Sequence, residues 1–229
     1  MSPNEFRPSY SVVSERKAGL LATHTVLRNT YLLLSLTLLF SAAVATFAMV
    51  NNAAPLNIFV TLIGIYGLMF LTYKLRNSAS GIVSVFALTG FMGYTLGPML
   101  NMVTQSYVNG SELIAMSLGG TGLVFFALSA YVLTTRKDFS FMGGFLMTGT
   151  IIALVAMVAL IFFQVPALYL GFSALVVLLS SGWILWQTSA IINGGETNYI
   201  MATVGLYVQI YNLFVSLLQL IMAFAGNRE

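Results

Sequence analysis

Few side chains in these 229 residues are equipped for chemistry. There is one histidine, His24, and no cysteine. His24 has no histidine, cysteine or acidic neighbour at metal-ligand spacing, so it reads as a solvated or headgroup-level residue. A nucleophile–His–acid set cannot assemble in the apolar stretches because they hold no Asp or Glu, and no glycine-rich loop runs into a lysine. Thiol, triad and metal catalysis therefore lack their parts, and the expectation is a protein that is not an enzyme, with no cofactor and no bound metal. A proton-coupled pump lacks its parts too, since intramembrane relays use Asp, Glu or His. What remains is amides. Gln187 lies two turns before a double glycine in "LWQTSAIINGG" (185–195), and Gln209 interrupts the next apolar run.

The elements that must hold these amides follow from composition. The chain is 59% hydrophobic and 7% charged, against about 25% charged in soluble proteins, and its mean hydropathy is +0.92. Asp, Glu, Lys and Arg are absent from residues 29–73, 77–111, 113–135, 139–195 and 197–227. Each window is long enough for one or more bilayer crossings of about 20 residues. The runs are continuous, which excludes a transmembrane barrel of alternating segments. Seven spans are expected, near 30–50, 55–73, 80–103, 113–133, 139–163, 167–193 and 199–225. Pro55 is expected at the first turn of the second. Residues 1–28 read as a polar cytoplasmic tail and 29–229 as an all-α, seven-helix transmembrane bundle. No apolar segment follows the first basic residues closely enough for a cleaved secretory signal.

Basic residues set the topology. Arg7, Arg16, Lys17 and Arg28 precede the first span, Lys74 and Arg76 separate the second from the third, and Arg136 and Lys137 the fourth from the fifth. The turns at the opposite ends carry no Lys or Arg, and only Arg228 lies on that side. The positive-inside rule then puts the N-terminus in the cytoplasm and the C-terminus outside it. A re-entrant last span would instead return the C-terminus to the cytoplasm. In a protein whose expected partner is the lipid bilayer, the net charge of +3 reports this orientation and not nucleic-acid binding.

Two packing signals stand out. In the third span Gly93 and Gly97 lie four apart, followed by Pro98. Small residues at this spacing let helices approach closely in lipid, while Pro98 frees a carbonyl one turn back and offers a kink or gate. In the seventh span Asn198, Ala202, Gly205, Gln209, Asn212, Ser216, Gln219 and Ala223 form one small or polar stripe. The sixth span presents Ser173, Ser180, Gln187 and Gly194 at intervals of seven. A turn through Gly194, Gly195 and Glu196 lets these faces meet in a polar seam. Such a seam serves either as interhelical hydrogen bonding or as a hydrated path with weak cation binding.

The segments "LRNTYLLLSLTLLFSA" (27–42), "YGLMFLTYK" (66–74), "GFMGYTLGPMLN" (90–101), "SAYVLTTRKDFSFMGG" (129–144) and "GGETNYIMATVGLYVQIYNLFVSLL" (194–218) closely resemble the Bax inhibitor-1 family of seven-span membrane proteins. The likeness runs through nearly the whole chain from about residue 20. Resemblance to its bacterial branch implies an inner-membrane protein that associates with the membrane protease FtsH and slows its attack on other clients. It also implies HflK/HflC-type partners and a tail that the protease itself grips. Resemblance to other members implies a calcium or cation leak, latched by two aspartates in "YDT" and "LYLD" motifs on the last two helices. The matching positions here read "WQT" and "LYVQ", placing Gln187 and Gln209 where those aspartates stand. Glutamines keep the shape and can bond amide to amide, but they do not titrate, so the pH latch is lost.

Overall fold

Hydrocarbon gives backbone N–H and C=O groups no partner, so an apolar chain of this kind satisfies them within helices. The computed structural model describes residues 9–163 and 165–225, and side chains from residue 23 onward apart from residue 161. Arg7, Gln164 and Arg228 lie outside the described residues. The helices are α1 (Ser9–Val50), α2 (Ile58–Leu75), α3 (Ser80–Ser106), α4 (Gly110–Thr135), α5 (Gly143–Phe162), α6 (Pro166–Ile192) and α7 (Tyr199–Ala225). All seven are long and apolar enough to cross a membrane. In α1 the crossing segment is 23–50, and the helix continues unbroken back through the expected tail to Ser9.

Several helix starts differ from the sequence expectation. Pro55 stands outside α2, which begins at Ile58 because the Asn57 side chain accepts from Phe59 N at 2.9 Å. That side-chain cap fixes the start more firmly than the ring of Pro55 does. The proline at a first helical turn is Pro166, in α6. A 3-10 turn at Ser140–Met142 precedes α5, which starts at Gly143 and not at Phe139.

Helix α7 is the centre of the bundle, packing against α1, α2, α3, α4 and α6, while α5 leans on α6 at the edge. The polar stripe is therefore not the only inward face of α7. Leu206, Ile210 and Leu213 are buried in a cluster with Leu34, Leu88 and Ile184, and Phe214 and Leu218 in a second one with Val103 and Leu113. The most extensive pairing is α1 with α3. A side chain on Gly93 would meet the carbonyl oxygen of Ser41, and one on Gly97 would meet Ala48. Both glycines thus permit backbone-close contact. Helix α3 runs through Pro98 without interruption.

Polar side chains tie the helix turns together at each end. At the end rich in basic residues, Asn198 caps α7 by accepting from Ile200 N (3.0 Å) and Met201 N (3.1 Å). Its Nδ2 donates across to Arg76 O (2.9 Å) and Asn77 Oδ1 (3.0 Å), joining the α6–α7 and α2–α3 turns. At the other end Asn101 Nδ2 donates to Asn52 Oδ1 at 2.9 Å.

Candidate functional site

The α6–α7 turn is built by capping. Asn193 N donates to Ser189 O (3.0 Å), and Gly195 N and Glu196 N both reach Ala190 O (2.8 and 3.0 Å). Gly194 takes φ +77°, the left-handed conformation that glycine adopts at least cost and that closes many helices. Beside this turn lies a cavity of about 300 Å³, lined by Asp138, Ser140, Gln187, Ser189, Asn193 and Glu196 among others. Gln187 and the turn residues Gly195 and Glu196 thus share one cavity. The two carboxylates are engaged locally: Asp138 Oδ1 accepts from Ser140 N (2.8 Å) and Glu196 Oε1 from Asn198 N (2.8 Å). Among the described residues no group of three or more His, Cys, Asp or Glu is placed to hold a metal ion.

The seam between α6 and α7 has two different ends. At one, the amide of Gln187 lies on Gly205, where any added Cβ would overlap it. At the other, Ser173 Oγ donates to Gln219 Oε1 at 2.7 Å. Ser180 and Ser216 are buried between these points, while Gln209 and Asn212 are half-buried. Gln187 and Gln209 do not bond to each other among the described residues. Gly205 lies one turn before Gln209 on α7, and the space left by its missing side chain takes the Gln187 amide instead.

Several polar residues that organise the bundle carry no local sequence signal. Tyr207 is buried, its hydroxyl 2.5 Å from Ser41 Oγ, and it donates to Thr89 O at 3.1 Å. One phenol thereby links α7 to both α1 and α3. Tyr211 and Thr95 pair at 3.0 Å one turn further on. Ser189 accepts from Phe139 N (2.9 Å) and Asn193 Nδ2 (3.1 Å) and donates to Lys137 O (3.2 Å), locking the α4–α5 turn to α6. Next to Gln187, the buried Thr188 hydroxyl has no partner among the described residues. His24 is exposed.

Comparison with known proteins gives a consistent assignment. The family model described as inhibitor of apoptosis-promoting Bax1 matches residues 23–227. The modulator of FtsH protease YccA of Escherichia coli strain K12 is 59% identical over 93% of this chain and 96% of its own. A relative named inner membrane protein YccA, from Escherichia coli O6:H1, matches to the same degree. An uncharacterised protein of Pseudomonas aeruginosa is 54% identical over the full length of both chains. With the seven apolar helices and the family match over all of the crossing segments, this multi-pass membrane protein belongs to the Bax inhibitor-1 family.

Proposed function

We infer that the protein is a bacterial inner-membrane modulator of the FtsH protease that works through association and not through catalysis. The observation that carries this reading is the 59% identity, over nearly the whole of both chains, to a relative named modulator of FtsH protease. The interior chemistry agrees with it. The helix pair that other family members are described as latching with aspartates carries Gln187 and Gln209, groups that neither ionise nor attract a cation strongly. A bundle closed by such uncharged groups has no acid-driven gate, and a surface remains for partner proteins.

In this reading the N-terminus and the turns bearing Lys74, Arg76, Arg136 and Lys137 face the cytoplasm. The chain is then a client as well as a modulator, with the segment before the first crossing offered to the cytosolic motor and HflK/HflC-type proteins as companions. The test is affinity purification from detergent-solubilised membranes, followed by an FtsH degradation assay in proteoliposomes. FtsH should be recovered with the tagged protein, and degradation of another membrane client should slow as the protein is added. Recovery of no FtsH together with an unchanged degradation rate would overturn the reading.

A further inference from the structure

Helices α1 and α4 flank a cleft of about 340 Å³ whose floor is formed by Tyr207, Ile210 and Phe214 of α7. Among the described residues no Cα of α1 comes within 8 Å of one of α4, so the two walls stand apart. The wall residues Ala42 and Leu118 are exposed, and the floor residues are buried. The cleft therefore opens sideways. Both walls belong to crossing segments, 23–50 and 110–135, and their outer faces carry strongly exposed leucines, Leu39 at 70% and Leu123 at 71%. The mouth is continuous with the surface that meets lipid.

We propose that this cleft holds one acyl chain of a zwitterionic, amine-bearing phospholipid. Two properties select that occupant. The hydroxyls deep in the cleft are already paired within the protein: Ser41 with Tyr207, Tyr211 with Thr95, and Thr121 with the carbonyl of Ser117. Below the rim an apolar surface with its hydroxyls paired stays dry and takes apolar ligands, so neither water nor an ion is the natural filling there. Charge selects the headgroup. The cleft extends to Met49, Thr104 and Ser111, beside turns 51–57 and 107–109 that hold no Lys or Arg, and Ser111 is followed by the exposed Glu112. An ammonium suits that rim and an anionic headgroup does not.

The experiment is photo-crosslinking in liposomes with a phosphatidylethanolamine carrying a diazirine in mid-chain, the adducts being mapped by mass spectrometry. Adducts should concentrate on the α1, α4 and α7 segments around Ala42, Leu118 and Tyr207. Ala42→Trp fills the mouth from the exposed wall and should reduce them several-fold. Ala43→Trp, on the neighbouring exposed position outside the cleft, should leave them unchanged. Leu118→Trp repeats the block from the opposite wall if the first variant folds poorly. A phosphatidylglycerol probe of the same chain should label less. Adducts spread evenly over α2 and α5 would mean surface lipid only and would overturn the proposal. So would a cleft occupied by fragments of a co-purified protein, indifference to both blocking variants, or equal labelling by the anionic probe.

Discussion

The Gln187 amide rests on Gly205, so the two helices that carry the glutamines meet through a side chain against bare backbone. Gly93 and Gly97 differ from Gly205 in what an added methyl would strike. At Gly205 the obstacle is the tip of a long, flexible side chain, whereas at Gly93 and Gly97 it includes the backbone of α1. Gly205→Ala should therefore cost little, as the Gln187 amide swings away. Gly93→Ala and Gly97→Ala should each destabilise by roughly 1–3 kcal/mol through overpacking. Thermal unfolding of the three variants in one detergent checks the order, and a Gly205 variant that melts lowest of the three would contradict this account.

Replacing both Gln187 and Gln209 by aspartate introduces two ionisable groups on facing helices. At low pH the pair shares a proton, and at higher pH two like charges oppose each other in a medium of low dielectric. The Gln187→Asp/Gln209→Asp protein should lose thermal stability as pH rises from about 4, the ordinary aspartate range. The parent should show no such trend from this site. Melting curves between pH 4 and 8 provide the comparison, with calcium flux in dye-loaded liposomes as a second readout. A folded double variant with the parent's pH profile would refute the coupling of these positions.

Much of this architecture was legible in the sequence, and the reason is physical. Charge is so costly in hydrocarbon that its absence marks each crossing, and its placement at helix ends marks the turns. Gly194 as a stop and the small stripe on α7 follow from backbone geometry at fixed spacing. The details that escaped depend on groups far apart in the chain. Nothing near Tyr207 announces that its hydroxyl will meet Ser41 and Thr89 O, at separations of 166 and 118 residues. Nor does spacing reveal that Gln187 will settle beside Gly205 and leave Gln209 unpaired with it. Pro55 misled for the opposite reason: a strong local preference was outweighed by the Asn57 side chain two residues on.

The Tyr207 junction should be worth measuring because one hydroxyl serves three helices. Tyr207→Phe keeps the ring and removes the bonds to Ser41 and Thr89 O, leaving the buried Ser41 hydroxyl without that partner. A loss of roughly 1–2 kcal/mol is expected, with faster hydrogen exchange in α1 near Ser41. A loss confined to α7 would place the hydroxyl's role elsewhere.

Thr188 offers a change in the opposite direction. Its hydroxyl is buried without a partner among the described residues, so no protein group there offsets its desolvation. Thr188→Val keeps the shape and removes that polar group. Stability should rise by up to about 1–2 kcal/mol. A lower melting temperature would show instead that an ordered water satisfies Thr188, and would make this stretch beside Gln187 a hydrated one.

If the protein is an FtsH client as proposed, the segment ahead of the first crossing is where a cytosolic motor would engage it. Deleting residues 1–20 leaves the crossing segment 23–50 entire, so insertion and packing of the bundle should survive. If that segment is the handle, the shortened protein should have a longer half-life in cells with active FtsH. In cells lacking FtsH activity the two forms should decay alike. Pulse–chase labelling of both forms in both backgrounds reads this directly. An unchanged half-life with FtsH present would move the point of engagement to another part of the chain, such as the turn bearing Arg136 and Lys137.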